Sequence, residues 1–177
     1  MEADWVDEVH KFWFGAPEHW FSPDPSFDAE IRRRFTDLYE TLKLERPSAM
    51  SPRWSVSAVI VLDQFPRNMY RGSAQEFATD SQALSIARSA VTDGADQRVP
   101  IDERMFLYMP FMHSEEPANQ QRSVNLFSGL DVSELVKAAR EHKKVIDKFG
   151  RFPHRNNVLG RTSTPEEIAY LKTGLMT

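Results

Sequence analysis

Cysteine is absent from this 177-residue chain, which removes disulfides, thiol nucleophiles and cysteine-based metal sites together and fits a reducing cytosol. No apolar run approaches the roughly 20 residues that span a bilayer, and the acidic, amphipathic Met1–Phe14 lacks the pattern of a secretory leader. Neither a Gly-rich phosphate loop nor a His-Glu-x-x-His zinc motif occurs. There is no basic–aromatic array either, and the formal charge of −4 disfavours nucleic acid as a partner. What these absences leave is a soluble, cytoplasmic protein, expected to be one domain over residues 1–177 and long enough to bury a core without staples.

What is present is helical periodicity, segment after segment, separated by short turns marked with Pro or Gly. Asp4–Phe14 has apolar Trp5, Val6, Val9, Phe12 and Trp13 and stops at Gly15–Pro17. Trp20 and Phe21 follow in a loop and are expected to tuck against the core. Phe27–Leu44 presents Phe27, Ile31, Phe35, Leu38 and Leu42 on one face. Ser51-Pro52 reads as a cap followed by proline at the first helical position. It opens Trp54–Phe65, whose apolar character on almost all sides predicts the buried centre. The β-branched content of that stretch would suit a strand, but no second strand candidate exists to pair with it.

Further along, Ser73-Ala-Gln-Glu76 reads as a capping box that opens a helix to about Val91, and Thr164-Pro-Glu-Glu167 as a second box that opens the last helix. Asp102–His113 is helical, with Pro110 expected to kink or split it, and Ser114-Glu-Glu-Pro117 starts a helix running to about Phe127. In Ser133–Phe149, residues Leu135, Ala139, His142, Ile146 and Phe149 share one face, so His142 sits in an otherwise apolar stripe. Gly150 suits the left-handed cap and Pro153 prevents the helix from resuming. The fold class is therefore all-α, about eight or nine helices in antiparallel pairs around Trp54–Phe65 and Ser133–Phe149.

Charge is distributed unevenly. Lys137–Arg161 holds eight Lys/Arg against two acids, a surplus of six positive, which leaves 14 against 24 and a surplus of ten negative elsewhere. Lys137, Arg140, Lys144 and Lys148 fall on the polar face of their helix and are expected to be solvated. Arg67, Arg71, Arg151, Arg155 and Arg161 cluster in two turns that echo each other, around Phe65-Pro-Arg-Asn68 and Phe152-Pro-His-Arg-Asn156, each of these stretches preceding a Gly/Arg pair and then a capping box. Guanidinium forks at such positions bind carboxylate or phosphate bidentately. They predict a polar pocket for a small anion or a peptide carboxylate, drawn from Arg67, Asn68, Arg71, His113, Glu115, His142, Arg151, His154, Arg155 and Asn156, with Arg161 nearby. The competing expectation is internal pairing. Asp63, near the C-terminal end of a buried helix, is disfavoured by the dipole and needs a cation, for which Arg67 or Arg71 is the natural candidate.

His113, His142 and His154 with Glu115 or Glu116 suit a metal by residue type, but their spacing matches no local ligand motif, so no metal and no cofactor is expected. Whether the chain is an enzyme stays open. A hydrolase-like alternative would use His142 or His154 as base, oriented by Glu115, Asp63 or Asp80. A third alternative is a protein-interaction scaffold, with a homodimer covering Trp20 or Phe21.

The stretches LDQFPRNMYRG (62–72), FLYMPFMHSEE (106–116), His142, FGRFPHRN (149–156) and LGRTSTPEE (159–167), with FWFG (12–15) near the start, resemble an uncharacterised bacterial family catalogued as domain of unknown function number 924. The resemblance covers almost the whole chain. It implies an all-helical fold similar to the tetratricopeptide-repeat superfamily, without an established activity, substrate or cofactor.

Overall fold

Among the described residues, 4–44 and 51–174 of the computed structural model, there are nine α-helices and no strand. Met1–Ala3, the first residues of the stretch weighed as a leader, lie outside them. In chain order the helices are α1 (Asp4–Phe14), α2 (Pro25–Leu42), α3 (Pro52–Val59), α4 (Phe65–Met69), α5 (Asp80–Thr92), α6 (Ile101–His113), α7 (Pro117–Ser128), α8 (Ser133–Phe149) and α9 (Pro165–Leu171). None of them is long and apolar enough to cross a membrane. The chain divides into two compact units, Met1–Arg71 with Gln75–Pro110, and Gly72–Ala74 with Phe111–Thr177.

The first unit is built on aromatic packing. Trp13, Phe35, Phe65 and Phe106 are all fully buried. The Trp13 ring meets Phe65 at 5.8 Å and Phe106 at 5.4 Å, edge to face, and Phe35 stacks on Phe65 at 4.8 Å. Each such ring contributes about 1.5–3 kcal/mol through burial alone. Trp20 joins this packing, donating its indole N–H to the Trp13 carbonyl at 2.8 Å. Phe21 does not: it is 65 % exposed, against expectation, because the short loop that seats Trp20 turns the next side chain outward.

The expected central helix is there, but longer and interrupted. After α3 comes one π turn over Ile60–Gln64, and α4 then continues through Pro66. Proline has no N–H, so the carbonyl four residues before it, that of Leu62, loses its helical partner. The Thr79 hydroxyl fills that role, donating to the Leu62 carbonyl at 2.6 Å. This explains why α5 begins at Asp80 and not at Ser73: the stretch with the capping-box pattern forms a short 3-10 turn over Ala74–Phe77, and Thr79, at the helix start, spends its hydroxyl on Leu62 instead of on its own helix. Phe65-Pro66 is thus inside a helix, whereas Phe152-Pro153 enters a 3-10 turn (Pro153–Arg155), so the two echoing loops differ in backbone.

In the second unit α7 and α8 pair as a hairpin across the short connection 129–132. α8 ends where the sequence places its end: Gly150 adopts φ 68° and its N–H reaches the Ile146 carbonyl at 2.8 Å. The chain then folds back, seating Phe152 with Val145 and Ile146 in a buried cluster against which Phe149 and Tyr170 pack. Thr164 and Glu167 form the expected capping box at the start of α9. Pro110 does not split α6 in two; the helix runs on to His113.

Candidate functional site

The sequence-named residues fall into the two units. Arg67, Asn68 and Arg71 belong to the first, and each faces an internal carboxylate. Arg67 donates twice to Asp80, at 2.8 and 3.0 Å, and also reaches the Asp63 carbonyl at 2.5 Å, with the Asp63 carboxylate 3.4 Å away. The pairing of Asp63 with Arg67 is therefore as the helix-dipole argument expects. Asn68 donates to Asp28 at 2.7 Å, and Arg71 grips the same carboxylate at 3.1 Å through two nitrogens.

The second unit holds the remainder, grouped around the loop after α8. Arg151 forks onto Glu167 at 2.7 and 2.9 Å, and Asn156 adds an amide donor to the same buried carboxylate at 3.2 Å. The Arg151 hydrogen bonds lead the effects that depress the Glu167 carboxyl to about 2. Between α6 and α7, Glu115 accepts both Arg161 donors at 2.7 and 3.0 Å and the Phe152 backbone N–H at 2.8 Å. Burial alone would raise the Glu115 carboxyl, but these hydrogen bonds, with the charges of Arg161 and Arg155, hold it below its ordinary value.

Phe152 is the hub. Its ring is fully buried, the His142 and His154 rings each lie 5.6 Å from it, and the Arg155 guanidinium sits over it at 4.5 Å. Arg155 is itself buried at 6 % exposure, while His154 is exposed. Such cation–ring contacts are worth about 0.5–2 kcal/mol each. His142 turns its Nδ1 to the Ala138 carbonyl at 2.9 Å. Burial, with a smaller push from His113, Arg155 and His154, lowers this imidazole to about 4. His113 closes α6, and the turn that follows it is clamped by Gln120, whose amide donates to the carbonyls of Met112 and Ser114 at 2.7 and 2.6 Å.

Two of these participants had no sequence signal. Gln120 reads as one more polar helix residue, and the Ala138 carbonyl is invisible to side-chain reasoning. His142 is oriented by a backbone carbonyl, while Asp63 and Asp80 engage Arg67 in the first unit and Glu115 is held by Arg161. Among the described residues no group of three His, Asp or Glu is placed to hold a metal ion. A polar groove of about 580 Å³ runs along the opposite side of α8, with Ser128, Val132, Lys137 and Arg140 in its lining, and includes none of the sequence-named residues.

The depressed imidazole has a measurable consequence. An unfolded chain protonates His142 near pH 6.5 and the folded one only near 4. Between those values the unfolded state holds the extra proton, so this contribution to stability is complete above pH 6.5 and lost as pH falls toward 4, up to about 3 kcal/mol. Urea unfolding of wild type and His142→Gln at neutral pH and at about pH 4.5 should show a shallower loss in the variant. Parallel losses would place the imidazole in solvent.

Comparison with known proteins adds kinship without chemistry. Residues 9–174 match a family model described as bacterial protein of unknown function (DUF924). The solved structure of a protein of unknown function from Agrobacterium tumefaciens is 39% identical, superposes with a TM-score of 0.87, and is matched over 96% of this chain and 97% of its own. Among curated proteins nothing matches.

Proposed function

The chain belongs to the DUF924 family of bacterial proteins of unknown function, so no activity is inherited, and we propose on its own geometry that the second unit binds a small oxyanion, a phosphate or carboxylate group, beside Phe152. The observation that carries this reading is the gathering of His142, His154 and Arg155 around one buried ring. The carboxylate that their loop also contacts, Glu115, is engaged by Arg161 and by the Phe152 N–H. An oxyanion at that point would meet these basic side chains together, in a partly buried setting that strengthens charge–charge attraction. Arg151, Asn156 and Glu167 serve as the frame that stiffens the loop. Arg67, Asn68 and Arg71 fall outside the site, their donors being spent on Asp28, Asp63 and Asp80. The antiparallel α7–α8 hairpin agrees with a tetratricopeptide-like arrangement and supplies the wall from which His142 projects.

A thermal-shift panel of inorganic phosphate, acetate and short peptides with free C-termini tests the reading. At about 100 times its dissociation constant a ligand stabilises by roughly 2.7 kcal/mol, and His154→Ala, a change at an exposed position, should reduce that gain without lowering the unliganded melting temperature. A panel that leaves wild type unmoved would sink the proposal.

Catalysis by His142 as general base is favoured by one observation, its Nδ1 contact with Ala138, which leaves Nε2 as the accepting nitrogen. An imidazole near 4 is nevertheless a poor match for neutral pH, where an effective base titrates close to the working pH. Binding is the better reading.

A further inference from the structure

We propose that the groove along α8 docks an acidic peptide, a short extended segment of another protein whose alternating carboxylates meet Lys137 and Arg140. It shares no residue with the oxyanion site above and stands or falls apart from it.

The cations come to the groove by helical phase. Ser133, Val136, Lys137, Arg140, Glu141 and Lys144 recur at intervals of three and four, which brings them to one face of a helix. That face, with Ser128 at the end of α7 and Asp131 and Val132 in the connection, lines the concavity of about 580 Å³. Neighbouring cations are already engaged. Lys143 holds Asp147 at 2.6 Å, Lys144 holds Glu141 at 2.7 Å, and Lys148 reaches Glu166 on α9 at 2.9 Å. The acids nearest Lys137 on the helix, Glu134 and Glu141, are turned to Ser133 and Lys144. Among the described residues no carboxylate pairs with Lys137 or Arg140. A chain with 26 acids against 22 bases thus leaves two cations, one turn apart, unmatched in the same groove.

The lining selects the class of partner. Small-molecule pockets are mostly apolar and bury most of their ligand, whereas Lys137, Arg140 and Lys144 are exposed and the groove follows the helix. From Lys137 to Lys144 the helix axis rises about 10 Å. An extended peptide covers that length in about three residues and presents alternate side chains to the same side, about 7 Å apart. Glutamates separated by one residue can then each meet one of the two cations, whose long stems adjust. Val132 and Val136, both half-buried, offer an apolar contact at the end where Asp131 repels a further acid. The negative surplus over the rest of the chain disfavours a nucleic acid in the same place.

Fluorescence anisotropy of the full chain with a labelled peptide, one leucine followed by alternating serine and glutamate, tests the assignment. At about 0.1 M salt the Debye length is about 10 Å, so a contacting charge acts while a distant one is screened. The glutamate peptide should bind and its glutamine twin should not. Lys137→Glu and Arg140→Glu should each weaken binding about tenfold or more. Lys11→Glu, the same change of charge at an exposed position of α1, should leave it within about twofold. All three positions are exposed, and circular dichroism should find each variant folded. Equal weakening by Lys11→Glu would reduce the binding to net charge and overturn the inference. So would no binding of the glutamate peptide at about 1 mM chain, or tighter binding of a single-stranded oligonucleotide of equal charge. A dimer seen by analytical ultracentrifugation and dissociated by Arg140→Glu would give the groove to a second copy of the chain and overturn it as well.

Discussion

Replacing Arg67 with methionine is expected to cost about 3–5 kcal/mol of folding free energy, because a buried ion pair that loses one partner leaves its counter-charge in a medium that cannot solvate it. Asp63 is completely buried, in the π turn of the central helix, with the Arg67 guanidinium 3.4 Å from its carboxylate and 2.5 Å from its carbonyl. Arg67 also binds both oxygens of Asp80, so the variant brings two carboxylates together without their shared cation. Domains of this size are typically stable by about 5–15 kcal/mol, and the loss should appear as a large fall in the urea midpoint with an unchanged slope. Asp80→Asn should cost less, since Asp80 lies nearer solvent at 20 % side-chain exposure and retains an amide oxygen for the guanidinium. A loss under about 1 kcal/mol for Arg67→Met would mean the triad behaves as a surface pair, and the case for a buried charge network in the first unit would fail.

The same cluster shows what could be read from the chain beforehand. The dipole at the end of an apolar helix made Asp63 an unstable anion in search of a cation, and Arg67 and Arg71 were legible as the candidates, of which the structure pairs Arg67. The left-handed stop at Gly150 and the box at Thr164 were legible for the same reason: their signals are local, and nothing distant competes. The π turn was not. A helix apolar on all sides carries no phase, so inserting one residue into a turn disturbs no pattern, and the compensating hydroxyl, Thr79, comes from 17 positions away. Ser73-Ala-Gln-Glu76 misled in the opposite way, since it opens a 3-10 turn and the α-helix begins only at Asp80.

The candidate site divides along the same line. Its cationic residue types were visible in FGRFPHRN, and so was the inward direction of His142 from helical phase. What each arginine faces depends on contacts between elements far apart in sequence, such as Arg161 with Glu115, 46 positions away. A list of ten candidates could therefore mix residues that frame the loop with residues that present charge. The structure separates them by placement: Arg67, Arg71 and Arg151 fork onto carboxylates, whereas His142, His154 and Arg155 are set around an aromatic ring.

Phe152→Ala is the substitution that tests the hub, with an expected cost of about 3–5 kcal/mol for truncating a fully buried ring. The ring packs with Val145 and Ile146 and also backs Arg155, His142 and His154, so truncation removes core contacts and cation–ring contacts together. Phe152→Leu separates the two contributions. It keeps most of the volume, for which repacking costs under about 1.5 kcal/mol, but it abolishes the quadrupole that draws the guanidinium to the face. The leucine variant should therefore remain folded by near-ultraviolet circular dichroism while losing much of the phosphate stabilisation expected of wild type. If it binds phosphate as wild type does, the ring is only filler and the basic side chains hold their places through the loop backbone, which would shift the organising role to the Glu115 hydrogen bond with the Phe152 N–H.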